Sequence, residues 1–420
     1  MELSLSDFDI EMQDYEVRKT SKFDRIWKIG FGGSLSTVPE FMGKLVYFGA
    51  YDHYIYAIRK NDGKLEWQFK GDGGFTFGTL ADGGMLYAGS YNGTFYALDA
   101  SSGKMAWHFR AGDQIMCIPC SYGNNVYFGS KDGYVYCLDK KNGKEVWRFR
   151  TGDCIASVPT IYKGTLFIGS FDGYVYQIDA VSGKEVWRFK TGGEICNNYR
   201  FTIKDDTLYV SSFDNYLYAI NIRTKKVIWR FRTGQYGNAS SPLATDSMIY
   251  HGSRDGVMYA IENGTGREIW RFTINSQEII GGIPVLHHGV LYFSAGDGNV
   301  YALVPETGKE LWRFKTGGQI YEGVGIDGDV LYVGSYDCHI YAVDLESREE
   351  IWRFTTNTLQ QSQIPPLNEG FELVVKKSAS EESLEENDRY EVNVSAVSGG
   401  EYKSESEYQI KVEYHQKMKY

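Results

Sequence analysis

The chain has 420 residues and a formal net charge of -10, with 33 Tyr, 23 Phe and 48 Gly against only 8 Pro. That length exceeds what one compact core normally serves, and the negative balance argues against general attraction to nucleic-acid phosphates or anionic membrane surfaces. Many aromatics and glycines with few prolines suit numerous short strands joined by tight turns.

The start, Met1-Glu-Leu-Ser-Leu-Ser-Asp-Phe-Asp9, has neither a basic opening nor an apolar h-region, so no signal peptide is read there. No apolar run approaches a membrane span. The cysteines at 117, 120, 137, 154, 196 and 338 are scattered through strand regions and form no disulfide framework. Reduced thiols in a cytoplasmic protein are the expectation, and an exported chain with a trimmed leader is the alternative. Residues 1–26 are polar, acidic-leaning and without period, which predicts an extended or partly disordered arm. Ile26-Trp-Lys-Ile-Gly30 then has the form of a Trp-bearing strand, but lacks a turn glycine upstream.

From Gly32 onward an eleven-residue stretch recurs, as in Cys137-Leu-Asp-Lys-Lys-Asn-Gly-Lys-Glu-Val-Trp147. Its Trp falls at Trp67, Trp107, Trp147, Trp187, Trp229, Trp270, Trp312 and Trp352, spaced by 40, 40, 40, 42, 41, 42 and 40 residues. A period in this range indicates a propeller or solenoid. The unit at 152–189 predicts four strands: Ile155–Ile161, Thr165–Ser170, Tyr174–Asp179 and Glu185–Lys190. Nothing between Gly32 and Thr355 has a helical period. The fold class is therefore all-β, with eight blades of four antiparallel strands over residues 27–355. Two closures of the ring stay open. Either the Trp27 strand takes the outer position of the last blade, or residues 318–355 build that blade alone.

Pro365-Pro366 stops regular pairing in a polar linker at 356–369. Within 370–420 the runs Phe371–Lys377, Tyr390–Val397 and Tyr408–Tyr414 alternate apolar and polar residues, predicting a small β appendage. The stretch from Tyr390 to Val412 resembles the closing hairpin of a fibronectin type III sandwich. Three strands alone are marginal, so the appendage is expected to pack on the propeller, on a second copy through self-association, or on a partner.

The repeat Ala-x-Asp-x-x-x-Gly-Lys-x-x-Trp, seen from Ala97 to Trp107 and from Ala302 to Trp312, resembles the tryptophan-docking motif of quinoprotein-type, PQQ-like propellers. The Gly-Ser-x-Asp-Gly-x-x-Tyr element, as in Gly169 to Tyr176, belongs to the same resemblance. It implies the fold firmly and the function weakly, because that family includes quinone-dependent dehydrogenases, the lipoprotein scaffold of the outer-membrane assembly machine, and sensor domains without enzymatic activity. The eight Trp, each with a Phe two residues on, are expected to fill the spaces between blades. The Asp before Gly at 132, 172, 255 and 297 suits a turn needing positive φ better than a metal site. Alternating cations such as Arg148 and Arg150 are expected to protect outer strands against edge pairing rather than to bind DNA.

Function is sought in one-off residues on first strands. Cys196-Asn-Asn-Tyr-Arg-Phe201 and Gln319-Ile-Tyr-Glu-Gly323 depart from the bland pattern of Ile155-Ala-Ser-Val-Pro159. Asn198, Tyr199, Arg200, Tyr321 and Glu322 are the candidate binding constellation at one mouth of the channel, suited to a small polar ligand or peptide. The plainer alternative is that they line a water-filled pore. The quinone enzymes of the family carry a calcium site, a catalytic Asp and commonly a vicinal cysteine pair. Cys117-Ile-Pro-Cys120 is not such a pair, and its two thiols are expected on opposite strand faces. His287-His288 sits at a turn where neighbouring side chains are expected to diverge, and the seven histidines show no metal spacing. No catalytic residue, metal or cofactor is therefore expected. The reading is a non-enzymatic scaffold binding a protein or peptide partner in a larger assembly, with no direct nucleic-acid or membrane contact. A small-molecule- or quinone-binding sensor or dehydrogenase is its rival.

Overall fold

The computed structural model describes residues 33–356, except 76, 198, 239 and 275–278, together with the backbone of four short strands beyond them. Gly33–Thr356 form one compact unit. It contains eight four-stranded antiparallel sheets in sequence order, covering 40–70, 80–110, 120–150, 160–190, 202–232, 243–273, 285–315 and 325–355. These are the eight blades of a β-propeller, numbered 1 to 8 below.

Blade 4 shows the common register. Thr160–Tyr162 pairs with Thr165–Gly169, which pairs with Tyr174–Asp179, which pairs with Glu185–Lys190. The first strand is shorter than the sequence predicts and begins later, at Thr160 rather than Ile155. Residues 155–158 instead run along the axis, where Val158 N–H bonds to Asn197 carbonyl of the next such segment, 3.0 Å away. Thr37–Val38 and Phe77–Gly78 likewise pair in parallel. Inner backbone thus finds its partners between blades instead of within them.

The hydrophobic cores also lie between blades. One cluster joins Tyr127, Val135 and Cys137 of blade 3 to Leu166, Ile168 and Ile178 of blade 4, with Trp147 and Phe149 packed against it. Six indoles donate Nε1–H to a main-chain carbonyl of the next blade at 2.7–3.2 Å. Each of these six covers a glycine, as Trp147 covers Gly183. At that turn position blades 5 and 8 carry Lys225 and Arg348, both with positive φ, and among the described residues neither Trp187 nor Trp312 shows this bond.

The turn carboxylates are structural. Asp132, Asp172 and Asp297 each accept the hydroxyl of the tyrosine four residues on at 2.6 Å. Asp132 and Asp172 also accept a glycine N–H from the preceding blade. The outer-strand Arg148, Arg188, Arg313 and Arg353 lie over tyrosine rings and pair with the glutamate three residues earlier.

The ring closes on itself. Glu350–Thr355 is the fourth strand of blade 8, and Trp352 Nε1 donates to Lys60 carbonyl of blade 1 at 2.9 Å. Thr356 hydroxyl donates to Gly33 carbonyl at 2.6 Å, and Leu35 N–H to Ser335 carbonyl at 3.2 Å. The outer position of blade 8 is thus held by the Trp352 strand. Trp27 lies outside the described residues. Farther on, Val374–Lys377 pairs antiparallel with Tyr390–Asn393, and Tyr402–Lys403 with Gln409–Ile410.

Candidate functional site

The segments leading into the blades carry the candidate residues, and the described ones have different partners. Tyr199, before blade 5, donates its hydroxyl to Glu322 Oε2 at 2.8 Å, although Glu322 precedes blade 8. Ser36, before blade 1, donates to the other carboxyl oxygen at 3.2 Å. The Tyr199 oxygen accepts Gly323 N–H, and Ser294 of blade 7 donates to the Glu322 carbonyl. One carboxyl and its neighbours thus tie four blades together across the axis. Tyr199 is 4% exposed and Glu322 2%, so the pair is closed on itself. Burial pushes the Glu322 carboxyl up to about 8, against the lowering effect of the Tyr199 and Ser36 hydrogen bonds, and it holds its proton at neutral pH. Burial first, and then the Glu322 charge, raise the Tyr199 phenol well above its ordinary value.

Tyr321 faces elsewhere. Its hydroxyl donates to Gln319 Oε1 at 2.6 Å, and its ring meets Tyr336 edge-on at 4.8 Å. Tyr336 continues to Tyr51 and Tyr91 in an aromatic arc from blade 8 to blade 2. Arg200 is exposed, and its charge acts on Glu40, which opens blade 1's first strand, and on Cys120 of blade 3. Burial raises the Glu40 carboxyl, while Ala81 N–H and then Arg200 oppose the rise. Asn198 lies outside the described residues. Of the five candidates, Tyr199 and Glu322 bond to each other, Tyr321 bonds to Gln319 and meets Tyr336, and Arg200 is exposed. Sequence reasoning missed Glu40, Ser36 and Ser294. Glu40 carried a signal, being the charged residue after Pro39 where other units have Pro119-Cys120 or Pro159-Thr160.

The histidine pair also differs from expectation. His287 and His288 do not diverge: their ring centroids lie 4.0 Å apart, and both Nε2 atoms face Asp329 of blade 8. The positive φ of His288, 46°, turns the second ring back beside the first. Cys117, Cys120 and Cys137 are buried free thiols, Cys154 is half-buried and free, and Cys196 and Cys338 are buried. Burial pushes the Cys117 thiol up to about 12, far from a reactive thiolate.

A second repeated feature lies on the outer rim. In blade 4 Gln177 pairs with Trp187 and Ile178 with Glu185, so Val186 is the extra residue of a β-bulge. The bulge lets Trp187 turn inward while Val186 projects out. The equivalent residues in six blades are Val146, Val186, Ile228, Ile269, Leu311 and Ile351, each 41–52% exposed. They form a belt of aliphatic side chains beside the tyrosine-stacked arginines.

The architecture is that of an eight-bladed propeller whose blades are latched by outer-strand tryptophans. The family described as outer membrane protein assembly factor BamB matches residues 68–160, 131–256, 171–303 and 254–381, well over half of the chain. The chain belongs to that family. Among solved structures it is similar to BamB from Moraxella catarrhalis, with 21% identity, a TM-score of 0.63, and 73% of this chain and 93% of that one covered. It is also similar to the computationally designed Ika8 protein, with 15% identity, a TM-score of 0.66, and 74% and 96% covered. No curated protein matches the chain.

Proposed function

We propose that this propeller is a non-enzymatic scaffold that holds a protein partner within a larger assembly, most simply in the cytoplasm. The observation that carries this reading is the bulge-borne belt of Val146, Val186, Ile228, Ile269, Leu311 and Ile351. Repeated apolar side chains with arginine and tyrosine beside them have the composition of a protein-binding surface. Membership of a family described by an assembly factor supports it. So does the closed Tyr199–Glu322 pair, which is spent on joining blades. Six cysteines scattered without a disulfide framework suit a reducing compartment.

Affinity capture from the source cell tests this, comparing the natural chain with a triple variant, Val146→Glu, Val186→Glu and Ile228→Glu. These side chains are about half exposed, so the variant should keep its melting temperature and lose the captured partner. Equal capture by both proteins would refute the belt as the docking surface. Fractionation of the same cells places the protein, and recovery from an exported fraction would overturn the compartment.

A further inference from the structure

The turns between first and second strands of neighbouring blades meet and are joined by charge. Lys163 of blade 4 pairs with Asp206 of blade 5 at 2.7 Å, and Lys204 of blade 5 with Asp246 of blade 6 at 2.6 Å. Between blades 7 and 8 the acid persists as Asp329, but His287-His288 stand where blades 4 and 5 have Lys163 and Lys204. An ammonium has no lone pair to offer a metal, whereas each neutral imidazole has one. The exchange changes what this junction can bind.

The geometry points to a divalent transition-metal site, and we propose that His287, His288 and Asp329 bind zinc and so cross-link blades 7 and 8. Their donor atoms lie within 4.8 Å of one another. Asp329 Oδ1 is 3.3 Å from His288 Nε2 and 3.9 Å from His287 Nε2. A tetrahedral zinc with ligands at about 2.0–2.1 Å holds neighbouring donors about 3.3 Å apart, so small side-chain shifts complete the set. His287 Nε2 is buried and has no hydrogen-bond partner among the described residues, an atom otherwise left unsatisfied. Two imidazoles and one carboxylate suit zinc, nickel or copper better than calcium or magnesium, which take all-oxygen sites. The side chains of His288 and Asp329 are 74% and 72% exposed, so the fourth position opens to water.

The test is calorimetric titration of zinc into the metal-free full-length chain, with His288→Asn and Asp329→Asn alongside. Asparagine tolerates the left-handed backbone of His288, and both side chains are exposed, so the metal-free variants should melt with the natural chain. One zinc per chain is expected, at least tenfold weaker in each variant, with zinc raising the melting temperature of the natural chain more than that of either variant. Absence of zinc binding, or equal affinity in the variants, overturns the site. Cobalt keeps the test decisive if a variant misfolds. The natural chain should then show the intense visible bands of tetrahedral cobalt, and their absence overturns the proposal equally.

Discussion

Two buried titratable side chains set opposite pH slopes on the propeller. Glu322 has its carboxyl raised to about 8 by burial, so between the ordinary carboxylate value and about 8 the folded chain keeps a proton that the unfolded chain has lost. Its contribution is fully present below about 4.5 and is lost as pH rises towards 8. Glu322→Gln keeps the shape and removes the titration. Denaturant melts at pH 5 and pH 8 should show a smaller loss of stability for the variant than for the natural chain. His251 slopes the other way. Burial lowers its imidazole to about 3, so it is neutral in the fold, and its contribution is lost as pH falls from the ordinary imidazole range towards 3. Neither ring nitrogen has a hydrogen-bond partner among the described residues. His251 pairs with Tyr259 just as Phe48 pairs with Tyr56, Phe128 with Tyr136 and Phe293 with Tyr301. His251→Phe should therefore stabilise the fold by about 1–3 kcal/mol at neutral pH, read from the denaturant midpoint, and flatten the acid limb.

At the scale of one blade junction, the indole and the glycine beneath it act as a unit. Gly183 has a φ of 70°, and a Cβ there would stand 2.6 Å from Trp147 Cδ2. Gly183→Ala therefore meets both a strained backbone and a displaced indole, whose bond to Ala180 carbonyl at 3.2 Å would be lost. The expected cost is about 2–4 kcal/mol in chemical denaturation. Junctions 4/5 and 7/8 show the alternative. Lys225 keeps the turn at a φ of 63° and lays its ammonium over the Trp187 ring at 4.8 Å. The glycine and the indole fall about 36 residues apart in sequence, yet the repeat makes their relation readable, because a left-handed turn favours glycine wherever it recurs. The β-bulge was not readable. Val146 in isolation is one more strand former, and only pairing across the sheet shows it as the supernumerary residue.

For the whole ring, closure rests on contacts between residues some 290 to 320 positions apart. Trp352 reaches Lys60, Thr356 reaches Gly33, and the core shared by blades 1 and 8 includes Val46, Phe48 and Ile340. Deleting 350–420 removes the last outer strand and this latch together. The expected outcome is loss of a single cooperative transition in calorimetry, with blades 1 and 8 exchanging amide hydrogens fastest; a sharp transition at the natural temperature would contradict it.

The eight Trp, their near-constant spacing and the turn glycines determined by themselves eight repeats of four strands, and the docking motif's resemblance made them blades of a propeller. Each of those signals is local, set by strand alternation and by a backbone angle few residues accept. What stands across the axis was decided only in three dimensions. Nothing between Tyr199 and Glu322 in sequence says that the two meet, that Tyr321 turns to Tyr336, or that Arg200 acts on Glu40. The convergence of His287 and His288 on Asp329 likewise depended on one left-handed residue and on the neighbouring blade. A repeat fixes what every blade must share, whereas contacts between non-identical residues of distant blades exist only once the ring has closed.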